Sequence, residues 1–523
     1  VLSRLKALFS SLAVYGLGDV ATSLANLLLL PIYTRVLSPE DYGVIAMLLM
    51  IEAVAKILFR WGVDTAFMRM YYDYTDTRSR QRLASTILGF LLCANGLLLA
   101  GAIAAAPWLS GELLGSRENA TLITLVILNT FVVGFYFIPL QVLRINEQSR
   151  TFIALVFGRS VGTLLMRLVL VVGVRLGVLG IVLADLIVTA VFTLVLLRWF
   201  APLIRPMFSR AVLRGALEFG LPRIPHSLSQ QVIGIADRYF LKAFGTLDQV
   251  GLYSMGATFG LALKLFLSAF EYAWTPFFLG VMKEPDAKSI YTKISTYIVA
   301  VLVLLVAGLC SVSTDLIRFM THPRFHSAAL VTPWIALGVM FQGLYLVGSI
   351  GLIITRRTSR YPIATGIAGI ASVTSNVLLI PRFGLMGAAW SQTIAYATLA
   401  GVTIAFSQSV YPIRYEWGRL ARVGLSGGLA FVAATAFPLT SHPFTAILVR
   451  GSVAACVYGG VLAVSGFFHS GELRVLESTW LRVRARGGAQ RPEPESVQVE
   501  MAGELVTTAP EPPVSEDSPA PRR

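Results

Sequence analysis

The sequence predicts an all-α polytopic membrane protein of about fourteen transmembrane helices, and three observations carry that expectation. Of its 523 residues, 55% are hydrophobic and 14% charged, with mean hydropathy +0.71, which leaves too little polar surface to keep a chain of this length in water. Apolar runs of the ~20 residues needed to cross a hydrocarbon core as a helix recur from residue 12 to residue 467. The basic residues stand in short gaps between those runs, abundant in alternate gaps. A β-barrel does not fit, because its strands alternate polar and apolar over ~10 residues and leave no continuous apolar runs.

Taken in order, the runs place helices near 12–34, 42–60, 84–108, 121–143, 152–174 and 177–198. A second group lies near 213–237, 248–280, 292–313, 328–354, 361–380 and 385–406, and a last pair near 419–438 and 445–467. The first run is expected to be a permanent span: it is too long for a cleaved signal peptide, carries Asp19, and leads directly into the second. One set of alternate loops holds Arg4 and Lys6, the Arg78-Arg80-Arg82 cluster, Arg144, Arg150, Arg198 to Arg214, Lys283, Lys288, Arg356 to Arg360 and Arg414 to Arg422. The other set holds Arg35, Arg117, Arg175, Arg238, Lys242, Arg318, Arg324 and Arg382. By the positive-inside rule the richer set, and with it both termini, is cytoplasmic. Residues 486–523, rich in Pro, Glu, Ser and Val, cannot bury a core and are expected to form a disordered cytoplasmic tail.

The first half recurs in the second. Ser38-Pro-Glu-Asp-Tyr-Gly-Val-Ile-Ala-Met matches Thr246-Leu-Asp-Gln-Val-Gly-Leu-Tyr-Ser-Met, setting Gly43 opposite Gly251 at an offset of 208 residues. Arg175-Leu-Gly-Val-Leu-Gly matches Arg382-Phe-Gly-Leu-Met-Gly at 207. An offset of six helices preserves orientation, so the expected organisation is two parallel six-helix repeats, 12–198 and 213–406, plus two additional helices over 419–467, with a cavity between the repeats.

Charges inside a bilayer are costly unless they face protein or water, so they mark functional candidates. Helical periodicity groups Glu52, Lys56 and Arg60 on one face, and Arg223, His226, Gln230 and Asp237 on another. Lys264, Ser268 and Glu271 form a third stripe, with Lys264 at the repeat offset from Lys56; Asp19, Ser23 and Asn26, and Arg159, Thr163 and Arg167, form two more. The cations Lys56, Arg60, Arg159, Arg223 and Lys264, with His226, Gln230 and Ser268, suit a cavity that binds an anion through charge-assisted hydrogen bonds to phosphate oxygens. The acids Asp19, Glu52, Asp237 and Glu271 serve either ion coupling or structural pairing, Glu52 with Lys56 and Asp237 with Arg238. Prolines 31, 139, 222, 225 and 276 remove backbone hydrogen bonds where a helix bends.

Other classes find no support. The basic residues form no single patch interleaved with aromatics, so nucleic acid is not an expected partner. There is no GxxxxGK[ST], HExxH or GxSxG, and His322 and His326 are separated by Pro323, which disfavours a regular metal-binding helix. Cys93, Cys310 and Cys456 lie singly in apolar runs and read as buried, reduced thiols.

Phe219-Gly-Leu-Pro-Arg-Ile-Pro-His-Ser-Leu, Ile235-Ala-Asp-Arg-Tyr-Phe-Leu, Val250-Gly-Leu-Tyr-Ser-Met and Ala273-Trp-Thr-Pro-Phe strongly resemble the polysaccharide-biosynthesis flippases, the Wzx-type branch of the multidrug/oligosaccharidyl-lipid/polysaccharide exporter superfamily. Pro31-Ile-Tyr-Thr-Arg-Val-Leu-Ser-Pro-Glu-Asp-Tyr-Gly-Val is similar to the family's opening motif, and the resemblance covers roughly residues 10 to 470. It implies two six-helix bundles in a V, with alternating access and no enzymatic activity, metal or cofactor. The implied substrate is an oligosaccharide on undecaprenyl pyrophosphate, flipped from the cytoplasmic to the periplasmic leaflet of a bacterial inner membrane for lipopolysaccharide or exopolysaccharide. Membrane lipids and the polymerase or ligase of such a pathway are the implied partners. A drug or metabolite antiporter of the superfamily and a peptidoglycan lipid-precursor flippase are the alternatives.

Overall fold

A computed structural model describes residue 27 and residues 29–146, 148–437 and 442–468 of the chain. Among these, all regular structure is helical. Residues 1–467 form one unit and 468–523 a second; most of the expected first span, with Asp19, Ser23 and Asn26, and the expected tail over 486–523 lie outside the described residues.

The short helix α1 (Leu30–Val36) precedes α2 (Pro39–Arg60) and α3 (Val63–Asp73). Helix α2 begins where Ser38 and Asp41 form a reciprocal capping box, Ser38 Oγ accepting from the Asp41 N–H at 3.1 Å and the Asp41 carboxylate from the Ser38 N–H at 2.8 Å, with Pro39 preset at the first turn. It ends at Trp61 and Gly62, both left-handed at φ 50° and 68°. Then follow α4 (Thr77–Leu114), α5 (Ala120–Val133), α6 (Phe137–Ile145), α7 (Ser149–Arg167) and α8 (Gly177–Phe200).

The second half contains α9 (Arg210–Gly220), α10 (Ile224–Phe244), α11 (Leu247–Leu261), α12 (Leu263–Val281), α13 (Ala287–Met320), α14 (Thr332–Gly348), α15 (Ile350–Ile354) and α16 (Arg360–Val410). Helix α11 starts as α2 does, with Thr246 Oγ1 accepting from the N–H of Gln249 at 3.3 Å. Helices α17 (Trp417–Ala436) and α18 (Pro443–Val464) close the chain. Helix α18 is fixed to α13 by the buried pair Asp315–Arg450 at 2.8 Å and by the Tyr458 hydroxyl donating to the Ala300 carbonyl at 2.7 Å.

Nine of these helical stretches are long and apolar enough to cross a membrane among the described residues, and α11 with α12 adds a tenth, bent by 44°. Leu97, Leu194, Leu425 and Val464 are largely exposed, the distribution that a hydrocarbon solvent produces. Two of the expected spans are broken within their length. The span near 213–237 is broken by a 3₁₀ turn over Leu221–Arg223, where Pro222 interrupts the ladder. The span near 248–280 breaks at Ala262, because Gly256 and Gly260 seat α11 against Ala328, Val331 and Ile335 while α12 turns away. The expected spans 361–380 and 385–406 are two helices within α16 that meet at the non-helical Gly384, φ 53°, three residues after Pro381. Cys93 and Cys456 are exposed on their helices rather than buried, because an apolar run has a lipid-facing side as well as a packed one.

Helices α2 and α11 pack closely from their N-terminal turns. Val44, Met47 and Leu48 share one core cluster with Leu247, Val250 and Tyr253. The approach is possible because Gly43 and Gly251 carry no Cβ: at Gly43 it would collide with the Leu247 carbonyl, and at Gly251 with that of Pro39. Pro39 and Leu247 are themselves 208 residues apart, so the contact is reciprocal. Small residues at a crossing let backbones approach where lipid provides no hydrophobic drive between helices.

Candidate translocation cavity

Below that crossing, toward the C-terminal end of α2, a cavity of about 450 Å³ opens between α2 and α10. One wall is Leu49, Glu52, Ala53, Lys56, Ile57 and Arg60; Ile224, Ser227 and Gln231 of α10 face it, and Gly62, Asp64 and Thr65 lie at the end. There Gly62 rests on Gly220: a Cβ at Gly220 would come within 2.8 Å of the Trp61 carbonyl oxygen. Asn95 of α4 braces this end, its amide donating to the Phe59 carbonyl at 2.7 Å and its oxygen accepting from the Trp61 indole at 2.9 Å.

The cavity's charges balance. Lys56 Nζ is 2.5 Å from Glu52, one helical turn away, and Arg60 lies 3.6 Å from Asp64 across the Trp61-Gly62 corner. Both cations remain about two-fifths exposed to the cavity (44% and 41%), so an anion entering it meets donors it has only to share. The five cations expected at the cavity fall in different places. Lys56 and Arg60 line it; Arg159 instead stacks over Tyr136 and Phe192 at 5.5 and 5.8 Å, and Lys264 over Tyr396 at 5.7 Å. Aromatic faces attract such cations where water is scarce. The backbone of Arg223 and His226 stands at the start of α10, and their side chains lie outside what the structure describes.

Gln230 is half-buried without lining this cavity, and Ser268 and Glu271 are exposed on α12. Asp237 is 3% exposed, away from the cavity, where it bonds Arg238 at 3.2 Å and accepts from the Tyr253 hydroxyl; Tyr253 in turn bonds Gln392 at 2.8 Å. Its geometry is that of structural pairing across α10, α11 and α16. Asp64, Ser227 and Gln231 were not singled out from the sequence. Asp64 falls beyond the expected end of its span, and Ser227 and Gln231 are each one residue, about 100° of helix, from the polar face through His226 and Gln230. No group of three or more metal-ligating side chains occurs among the described residues.

Comparisons with known proteins agree with this architecture. A Haemophilus influenzae protein of the Lsg locus is 23% identical over 283 residues, which cover 53% of this chain and 67% of that protein. The fold is similar to the lipid II flippase MurJ in an inward closed conformation, with TM-score 0.67 and 14% identity, covering 89% of this chain and 98% of MurJ. It is also similar to an inward-facing multidrug resistance MATE transporter of the MOP superfamily, with TM-score 0.62 and 14% identity over 77% of this chain and 95% of that one. The family described as polysaccharide biosynthesis protein matches residues 32–330, more than half the chain. This multi-pass, all-α membrane protein therefore belongs to the polysaccharide biosynthesis protein family.

Proposed function

We propose that the protein flips an oligosaccharide linked to undecaprenyl pyrophosphate from the cytoplasmic to the periplasmic leaflet of a bacterial inner membrane by alternating access between its two halves. The observation that carries this reading is a cavity between α2 and α10 that presents Lys56 and Arg60 in a polysaccharide biosynthesis family protein. Ammonium and guanidinium groups donate charge-assisted hydrogen bonds to a diphosphate. At about 450 Å³ the cavity is in the range of a small-molecule site, so a longer glycan requires one end to part.

By the loop charges, the Gly43–Gly251 end faces the periplasm and the Gly62–Gly220 end the cytoplasm. Lys56, Arg60, Ser227 and Gln231 bind the carrier headgroup, and Arg223 and His226, singled out by the sequence, are assigned the same role. Passage needs no cofactor or enzymatic step, and the polymerase or ligase of a glycan pathway takes the product. The likeness to a lipid II flippase favours one second reading, a peptidoglycan precursor on the same type of carrier.

The test is a strain lacking the gene, rescued with wild type or with Lys56→Ala combined with Arg60→Ala. Lipid-linked intermediate is expected to accumulate on the cytoplasmic face, with only wild type restoring surface polysaccharide. Arrest of cell-wall synthesis with normal surface glycan selects the peptidoglycan reading; normal glycan and wall with reduced efflux of organic cations replaces both.

A further inference from the structure

An open cavity of about 430 Å³, sharing no lining residue with the translocation cavity, lies where α16 ends at Val410 and α17 begins at Trp417. Ile404 and Gln408 of α16 line it together with Ile413, Arg414, Tyr415 and Trp417. The connecting turn is pinned from two sides. The Gln408 amide donates to the Ile413 carbonyl while its oxygen accepts from the Ile413 N–H, both at 2.9 Å, and Thr292 Oγ1 of α13 donates to the Arg414 carbonyl at 3.0 Å. Ile413 is buried and Arg414 is exposed. Neighbouring charges are engaged: Glu416 bonds Arg419 at 3.1 Å and Thr296 at 2.8 Å, Lys288 lies over the Tyr411 ring at 4.7 Å, and Arg360 donates to Ser409 at 2.7 Å. The Arg414 guanidinium has no hydrogen bond or ion pair among the described residues.

Trp417 belongs both to this cavity and to the outer surface of α17, where it is 71% exposed. From it Ala421, Leu425, Gly428 and Val432 follow along one side of the helix, all exposed. Helix α17 packs on α13 and α18, both long and apolar enough to span, so its exposed apolar stripe meets hydrocarbon. A free guanidinium, an amphipathic indole and an apolar stripe thus succeed one another from the end of a span inward, the order of chemistry in a phospholipid. We propose that the cavity binds the headgroup of an anionic phospholipid, Arg414 donating to its phosphate, Trp417 lying at the level of its glycerol and its acyl chains running along α17. Guanidinium is suited to phosphate by charge and by its forked donors. A zwitterionic headgroup carries its own ammonium and has less to gain from Arg414, so the site favours lipids of net negative charge. By the loop charges Arg414 stands on the cytoplasmic side, where basic residues beside spans collect such lipids. The inference is independent of what the protein carries.

The experiment is native mass spectrometry of the full chain in detergent with equimolar phosphatidylglycerol and phosphatidylcholine. Wild type is expected to retain phosphatidylglycerol in preference, and Arg414→Gln to lower that preference about fivefold, the contribution of one arginine beside an anionic headgroup. Arg414→Lys keeps the charge and most of the preference. Both variants are expected to fold as wild type does, because the turn is held through the Ile413 backbone and the Arg414 carbonyl rather than through the guanidinium. Trp417→Ala is expected to reduce retention of both lipids and leave their ratio unchanged. Arg382→Gln, at an exposed arginine of the sparser loop set, is the control and is expected to change neither. No preference in wild type, or a preference that survives Arg414→Gln, overturns the site. Equal loss with Arg382→Gln also overturns it, assigning the effect to general surface charge. Displacement of the lipid by inorganic phosphate would mean that the cavity takes soluble anions, and overturns the phospholipid as its occupant.

Discussion

The two ends of α2 are both closed by glycine backbone laid on backbone, yet they are built differently. At the N-terminal end the contact is reciprocal, Gly43 on Leu247 and Gly251 on Pro39, between two long capped helices with Val44, Met47, Leu48 and Val250 packed around it. At the C-terminal end a left-handed Trp61-Gly62 corner touches Gly220 just before a 3₁₀ turn, braced by the buried Asn95 and by a core cluster in which Val63 and Phe67 pack with Val212 and Ala216. The first is a crossing of two regular helices and the second a junction of two helix breaks.

The largest expected effect comes from Gly251→Ala, whose new methyl group meets the Pro39 carbonyl and lies 2.8 Å from the Gly43 nitrogen. Neither neighbour is a side chain that can rotate away, so α2 and α11 must separate along their length. We expect a loss of about 3 kcal/mol or more, read as a lowered thermal midpoint in detergent. Gly220→Ala is expected to cost about 1–3 kcal/mol, because its methyl presses on a corner at the end of two short elements. A Ser227→Cys reporter, with the three native cysteines replaced, sharpens the contrast: Gly220→Ala is expected to raise its labelling by a membrane-impermeant maleimide added from that end, and Gly251→Ala is not. Equal destabilisation by the two alanines would remove the distinction between the ends.

The glycines of the crossing were legible in the sequence as a match between its halves, though not as a contact, and those of the corner were not, for a physical reason. Ser38 to Met47 and Thr246 to Met255 repeat each other because one geometry serves both helices, and a glycine at a common offset is visible in one dimension. Gly62 and Gly220 meet once, without a repeat, and each alone is an ordinary transmembrane glycine. The stripes fared similarly. Periodicity placed Glu52, Lys56 and Arg60 on one face, and they line one wall. It could not tell which polar residue of α10 faces them, nor that Arg159 and Lys264 have aromatic partners from other helices, since those contacts are set by how helices rotate about their axes on packing.

Asn95 tests the corner from the other side. Asn95→Leu leaves the Phe59 carbonyl and the Trp61 indole unpaired in a buried place, an expected cost of about 2 kcal/mol. If the corner is the end that opens, the same change raises labelling of the Ser227→Cys reporter beyond what its stability loss explains; protection unchanged from wild type would show that Asn95 only holds the fold.

The smallest effects are expected at the caps of the crossing. Ser38→Ala and Thr246→Ala each remove one side-chain acceptor from a helix N-terminus, about 1 kcal/mol apiece. Far apart, two such losses would add to within ~0.5 kcal/mol. Here both caps sit beside one reciprocal contact, and fraying the first turn of either helix moves the carbonyl of Pro39 or Leu247 against which the opposite glycine rests. Loosening one helix should therefore remove part of what the other cap protects, so the double variant is expected to lose less than the sum of the singles. Strict additivity in thermal unfolding would mean that the two first turns are independent, and that the crossing is held by the cluster of Val44, Met47, Leu48 and Val250 deeper along the helices.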